Sequence, residues 1–446
     1  MQVANLSSIF RCRNGILVRK EVCVGATAPG RPRTGQQRDN EIKASVPWGT
    51  LTGIRPAKVA EKLLTKGDST KSATDVLIKK YHVEPDRAAL CVETALAALK
   101  LKKTLEPGDI ALYVGIPFCP TRCAYCSFVS NSVEKSFKLI DPFTDKLVNE
   151  IKTISKLVNE FGLRVISVYM GGGTPTALPD RSLESVMTAL TQSFDLSQLR
   201  EYTVEAGRPD TITEQNLEIM TRLGATRICV NPQSMSAGVI SAIGRKHSPL
   251  DVYNAVEMVR KTGAALNMDI IAGLPYDTLE GFQQTLDTVL GLSPENITIH
   301  TLSLKKGSRL MLEKTDAPRG EKPNITSPAE PLDTLCGNVG EMLDFASMRL
   351  RDNNYSPYYV YRQKYISGGF ENTGWNLPGY EGIYNICMME ELCTVLAVGG
   401  GGVTKLVTTD GRIERVFNAK YPLEYINMTE KMKEKIGRVR ENAVSI

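Results

Sequence analysis

Between residues 110 and 304, short apolar runs alternate with longer segments whose apolar residues recur every three or four positions. Residues 111–116, 164–170, 201–205, 226–231, 266–271 and 297–304 read as strands. Residues 143–158, 182–190, 213–223, 236–243 with 250–262, and 279–290 read as the helices between them. Six strands joined by crossover helices predict a parallel α/β sheet, and right-handed crossovers curl such a unit into a barrel or part of one. Chemistry in such folds gathers at the carboxyl ends of the strands, where every unusual loop of this sequence falls.

The flanks have a different texture. Residues 1–45 mix short apolar pieces with Gly, Pro and Arg and predict a poorly ordered basic tail. Residues 46–109 predict a helical N-terminal region, with helical spacing over 57–64 and 88–101. Residues 305–331 are rich in Pro, Gly and charge and read as a linker or covering loop. A helix over 332–352, an aromatic segment over 355–361, a Gly run at 399–402, a β-rich piece over 405–417 and a charged helix over 428–442 follow. Residues 305–446 therefore predict a smaller α+β domain.

Composition narrows the classes. Of 446 residues, 42% are hydrophobic and 23% charged, as in a soluble globular protein. The formal charge is +5, and residues 1–50 alone carry eight Lys/Arg against three Asp/Glu. The rest is balanced, so nucleic-acid binding gains no support. No run of about 18 apolar residues occurs, so no membrane span is expected, and the cytoplasm is the expected location. Ten cysteines are too sparse for a disulfide scaffold and suit a reducing compartment, where clustered thiols point to metal.

Three of the ten fall within eight residues. The first strand runs into Pro117-Phe118-Cys119-Pro-Thr-Arg-Cys123-Ala-Tyr-Cys126. Three thiolates can hold three irons of a [4Fe–4S] cubane, leaving the fourth iron open to a ligand. S-adenosylmethionine (SAM) needs that asymmetry: its amino and carboxylate groups chelate the open iron, and an electron from the cluster breaks a C–S bond to give a 5′-deoxyadenosyl radical. A zinc knuckle would need a fourth ligand. Between Cys126 and Val230 the sole further Cys or His is Cys229, on a later strand.

Other polar groups stand at strand ends. Met170-Gly-Gly-Gly-Thr-Pro-Thr176 follows the second strand, and its glycines let backbone N–H and C=O groups meet the methionine end of SAM; the bland reading is a plain glycine turn. Glu205 ends the third strand, Gln233 follows the fourth and Asp269 lies in the fifth; each either binds cofactor or closes a structural hydrogen bond. Arg245 pairs with the SAM carboxylate or lies exposed on the surface. His300, alone in an apolar strand, reads as structural. Tyr358, Tyr359 and Tyr361 with Arg362 and Lys364 supply aromatic walls and cations for a flat acidic ligand, or form a strand packed on the barrel mouth.

These residues resemble the oxygen-independent coproporphyrinogen III oxidase family of radical SAM enzymes. Tyr113-Val-Gly-Ile-Pro-Phe-Cys119, Gly171–Thr176, Glu205, Pro232-Gln233-Ser234, Gly244-Arg-Lys-His-Ser248 and Asp269-Ile-Ile-Ala-Gly-Leu-Pro275 carry the likeness in order. Val46-Pro-Trp-Gly-Thr-Leu-Thr-Gly-Ile-Arg-Pro-Ala57 and Tyr359–Lys364 are similar to its HemZ-like branch. The resemblance implies a partial (β/α)6 barrel over 110–304, with the smaller C-terminal domain over its mouth. It implies that Tyr113, Gly172, Gly173, Thr174, Glu205, Gln233, Arg245 and Asp269 contact SAM, and that Phe118 and Tyr125 pack around the cluster; no catalytic side chain is assigned beyond the cluster ligands. It implies oxidative decarboxylation of coproporphyrinogen III propionates to vinyl groups, giving protoporphyrinogen IX, with electrons from a donor such as flavodoxin or ferredoxin. Two positions depart from the oxidases: Gly115 replaces a histidine, and Phe128 replaces a further cysteine that the family's haem-chaperone branch also lacks. A haem-handling protein and a radical SAM enzyme for another acidic substrate are the competing readings.

Overall fold

The structure is a computed structural model that describes residues 47–126, 131–303, 308, 339–362, 369–408 and 411–444. The expected tail over 1–45, Phe128, Lys364 and, apart from Ser308, the linker over 305–331 lie outside the described residues. Three helices open the described chain, α1 (Ala57–Thr65), α2 (Thr70–Tyr81) and α3 (Pro85–Lys102). Strands β1 (Asp109–Ile116), β2 (Arg164–Gly172), β3 (Glu201–Val204), β4 (Arg227–Cys229), β5 (Ala265–Ala272) and β6 (Asn296–Thr301) then pair in chain order, all parallel. The helices between them are α4 (Ile140–Glu160), α5 (Asp180–Ser193), α6 (Glu214–Arg222), α7 (Ala237–Ala242), α8 (Pro249–Thr262) and α9 (Leu279–Gly291). Both faces of these strands are covered, which is why they read as nearly unbroken apolar runs. Local signals set the helix ends. Ser248 and Asp251 cap α8 reciprocally, Pro249 fits its first turn, and Gly263 at φ 75° ends it.

The chain beyond β6 rejoins the same sheet at both edges. After α10 (Val339–Asp352), β7 (Ser356–Arg362) and β8 (Glu371–Asn376) form an antiparallel pair, and β8 docks antiparallel on β6. After α11 (Ile383–Glu390), β9 (Thr394–Gly399) pairs parallel with β1, and β10 (Val403–Val407) and β11 (Ile413–Phe417) continue that edge antiparallel. The eleven-stranded order is β11-β10-β9-β1-β2-β3-β4-β5-β6-β8-β7. The outer strands β11 and β7 do not pair, so the sheet stays open, as a partial barrel requires. Two of these strands escape the sequence pattern. Residues 394–399 are an apolar run bounded by Gly and could have been read as a strand. Residues 371–376 are mostly polar, yet all six are buried. No helix among the described residues is long and apolar enough to cross a membrane.

Buried charge holds the ends of the chain to the sheet. Trp48 Nε1 donates to Glu371 at 2.7 Å, and Arg87 Nε reaches the other oxygen of that carboxylate at 3.2 Å, joining the N-terminal region to β8. At the opposite edge, Glu150 of α4 meets Lys435 of the last helix α13 (Glu430–Val444, after α12, Pro422–Ile426) at 2.7 Å. Both side chains are essentially sealed from water, at 0% and 1% exposure. Asn418 Nδ2, Tyr425 Oη and Gly399 N also donate to Glu150. Removing one partner of a buried pair leaves the other charge uncompensated. Lys435→Ala should therefore cost about 3–5 kcal/mol in chemical denaturation. A loss below about 1 kcal/mol would show that the pair contributes as little as an exposed one.

Candidate active site

The end of β1 and the loop after β2 build the entrance together. Gly173 N and Thr174 N donate to the carbonyls of Ile116 and Phe118, each at 2.7 Å, so the two chain segments run side by side. Phe118 is buried edge-on against Phe143 of α4, with ring centroids 5.1 Å apart, and anchors the stem of the cysteine loop. The loop is pinned again where Ala124 N donates to Ile243 O at 2.9 Å. A turn from Cys126 N to Cys123 O at 3.1 Å folds its second half. Thr174 Oγ1 lies 3.5 Å from Cys119 Sγ.

Cys119, Cys123 and Cys126 line one cavity of about 400 Å³ at the carboxyl ends of the strands. Tyr113, Tyr125, Gly172, Gly173, Thr174, Glu205, Gln233, Arg245 and Asp269 line the same cavity. Arg362 is not among its lining residues. Side chains alternate along β7, so Tyr361 meets the cavity and Arg362 turns away. The Arg362 guanidinium donates to Leu51 O at 2.7 Å and Gly369 O at 3.0 Å and lies over the Trp48 ring. It clasps the N-terminal region to β7.

The cavity also contains residues that the sequence reading did not single out as ligands: Tyr169, Arg208, Asn231 and His300. Strand parity was an available signal for three of them. Tyr169 shares an inward face with Gly171, Asn231 follows β4 in phase with Cys229, and His300 lies on the inner face of β6. Arg208 sits in a loop with no periodicity to mark it.

These side chains form a buried polar floor. Tyr169 Oη donates to Glu205, and Asn231 Nδ2 donates to its other oxygen at 2.9 Å. Burial, followed by the nearby Asp269 carboxylate, pushes the Glu205 carboxyl up to about 7, against the pull of those donors. His300 Nε2 lies 3.5 Å from Asp269 Oδ2, and Asn267 Nδ2 donates to Oδ1 at 2.9 Å. Burial works against the Asp269 carboxylate, but His300 and its other donors hold it below the usual range; His300 is correspondingly raised. Nearer the cysteine loop, burial opposes the Cys123 thiolate, and the guanidinium groups of Arg245 and Arg208 outweigh it, so its pKa falls below the ordinary thiol value. Arg245 donates to Asn231 O and reaches Tyr125 Oη at 3.4 Å. Its Nε and the Oδ1 of Asn231 are buried without a partner in the structure. Gln233 holds φ +68° while its backbone bridges to Asp269 and Ile271 of β5, a costly conformation of the kind kept at binding sites. Among the described residues, no three His, Cys, Asp or Glu converge to suit a single ion. A cubane does not ask for that, because each thiolate takes a different iron.

The raised Glu205 has a consequence for stability. Between its ordinary value of 4.5 and about 7, the folded chain keeps a proton that the unfolded chain releases. Its contribution is full below 4.5 and is lost as pH rises through about 7. Denaturation midpoints of the wild type should therefore fall more steeply over that window than those of Glu205→Gln. Parallel pH profiles would refute the assignment.

Residues 113–289 match the family model of the radical SAM superfamily. The chain is 36% identical over 384 residues to the oxygen-independent coproporphyrinogen-III oxidase-like protein HemZ of Bacillus subtilis, covering 85% of this chain and 74% of that one. It is 27% identical over 277 residues to the heme chaperone HemW of Lactococcus lactis, covering 61% of this chain and 64% of that one. Among solved structures, coproporphyrinogen III oxidase (HemN) of Escherichia coli matches with a TM-score of 0.56 at 20% identity, over 76% of this chain and 72% of that one, which speaks for the fold alone. With its extended match to HemZ and a superfamily match spanning the cysteine loop, the chain belongs to the oxygen-independent coproporphyrinogen-III oxidase-like family of the radical SAM superfamily, whose cofactors are a [4Fe–4S] cluster and SAM.

Proposed function

We propose that this chain is a radical SAM oxidoreductase that decarboxylates the propionates of coproporphyrinogen III to vinyl groups, giving protoporphyrinogen IX in haem biosynthesis. The observation that carries this reading is the single cavity into which the three cysteines and the strand-end polar groups all project. Cys119, Cys123 and Cys126 hold the cluster. The donor set fits it: three thiols on one loop, with two nearby guanidinium groups favouring the thiolate of Cys123. Bound together, cluster and SAM supply one-electron cleavage of a C–S bond and hence a hydrogen-abstracting 5′-deoxyadenosyl group. Gly172, Gly173 and Thr174 present backbone to the methionine end. Arg245 and Asn231, with their unpartnered buried atoms, offer a donor and an acceptor to the carboxylate and amino group. Tyr113 and Tyr125 wall the site, Gln233 bridges to β5, and Glu205 and Asp269 accept from hydroxyl groups of the nucleoside. A volume of about 400 Å³ suits one such ligand. The electron donor is a small redox protein such as flavodoxin or ferredoxin.

The likeness to HemW favours a second reading, in which the chain binds haem for delivery. Phe128 agrees with that branch.

Three results test the cofactor part. Anaerobic reconstitution should give about four irons per chain, and Cys119→Ala, Cys123→Ala or Cys126→Ala should each lose them. Glu205→Ala and Asp269→Ala should keep the iron and weaken SAM binding about ten-fold or more, the effect of one charge-assisted hydrogen bond. Unchanged SAM affinity in both would refute the assigned site. For the substrate, the reconstituted protein is incubated anaerobically with coproporphyrinogen III, SAM and a reductant. Chromatography should show vinyl products together with 5′-deoxyadenosine. Stoichiometric haem binding without vinyl products would replace this reading with the chaperone one. Failure of both would leave a different acidic substrate.

A further inference from the structure

Arg208 has a role that the cofactor assignments above leave unused. It lies in the loop after β3, three residues beyond Glu205, and is buried to 3% exposure although it carries a full charge. Asp210 grips it by a planar fork, with Nε to Oδ1 and Nη2 to Oδ2 both at 3.0 Å. That fork leaves Nη1 to point toward the cysteine loop, where it donates to Thr121 Oγ1 at 3.2 Å and to Cys123 Sγ at 3.9 Å. The backbone is fixed as well: Thr211 N and Thr211 Oγ1 both donate to Arg208 O, at 2.9 and 2.8 Å. A surface arginine that merely joined two loops would not need to be buried, nor to have a carboxylate fork aiming one nitrogen at a ligand sulfur.

We propose that Arg208 is a positioning residue for the iron–sulfur cluster, locked by Asp210 so that its guanidinium donates to the Cys123 sulfur and raises the cluster's reduction potential. This rests on the reading that Cys123 is a cluster ligand. Reduction adds one negative charge to the cluster. A hydrogen bond to a ligand sulfur, carried by a buried cation, stabilises the reduced form more than the oxidised one. Screening there is weak. Arg245 is the other cation near this sulfur, but it also reaches Asn231 and Tyr125, so Arg208 is the cleaner probe.

The test is a redox titration of the reconstituted protein without SAM, followed by electron paramagnetic resonance, on the wild type, Arg208→Gln and Arg208→Lys. Iron content and SAM affinity are measured on the same samples. Arg208→Gln should keep its iron and shift the midpoint negative, so that the ratio of reduced to oxidised cluster at a fixed donor potential falls about ten-fold, or about 59 mV for one electron. Lysine keeps the charge but cannot make the fork, so Arg208→Lys should fall between the two. An unchanged midpoint in iron-replete Arg208→Gln overturns the proposal, whether or not SAM affinity drops; a drop would make Arg208 a SAM ligand instead. Should Arg208→Gln lose its iron, Arg208→Lys is read alone, a negative shift supporting the proposal and a wild-type midpoint overturning it. Loss of iron from both variants makes Arg208 a requirement for assembly and overturns tuning. A wild type that binds no iron, or a Cys123→Ala variant that keeps it, counts against the cluster assignment itself.

Discussion

The site depends on how closely three backbones approach one another at the carboxyl end of the sheet. Gly399, Gly115 and Gly171 lie in register across β9, β1 and β2. A Cβ on Gly115 would stand 2.5 Å from Gly400 O, and one on Gly399 would stand 2.2 Å from Gly115 O. Neither distance is one a real side chain adopts, so β9 can join as the seventh parallel strand in this way with glycine at both positions. The oxidases that this sequence resembles carry a histidine where Gly115 stands. Here the space such a side chain would enter holds the Gly400 backbone. The departure at residue 115 and the glycine run at 399–402 are two halves of one packing solution.

The same crowding extends to the next loop. A Cβ on Gly173 would lie 2.3 Å from Phe118 O, so the segment after β2 can press against the stem of the cysteine loop. The cysteine loop thus leaves a strand held on both sides, by β9 and by the glycine segment. Around this rigid rim the interior is polar rather than oily. Glu205, just past β3, and Asp269 and His300 of the adjacent β5 and β6 face the cavity, with each charge satisfied by a donor or a partner. In such a low-dielectric setting hydrogen bonds are stronger and mispairing is costlier, which gives the site its fixed geometry.

Much of this was legible in advance because its physical signals are local. The six parallel strands show as apolar runs, since sheets covered on both faces need apolar side chains on both. The cysteine spacing is itself a chemical statement, and every cofactor residue inferred from motif position lines the one cavity. Arg362 did not, because a cation two residues from another on an extended segment looks the same in sequence whether it faces a ligand or a carbonyl. Arg208 went unnoticed for the reverse reason: its meaning comes from Asp210 and Cys123, and the second of these lies 85 residues away.

By itself, the sequence determined the repeating strand–helix unit, the three-cysteine loop and the strand ends that line the cavity. Those follow from side-chain period and from the spacing of the cysteines. Only the tertiary structure decided which strands complete the sheet. Residues 371–376 are too polar to announce a buried strand, and become one because Trp48 and Arg87 satisfy Glu371 while Thr301 bonds to Asn372 and to the Glu371 carbonyl. Residues 394–399 lie beside β1, each paired with a residue 284 positions earlier, because two glycines permit the contact. Burial of a polar group is tolerable only where its partner is, and that partner is chosen by the fold.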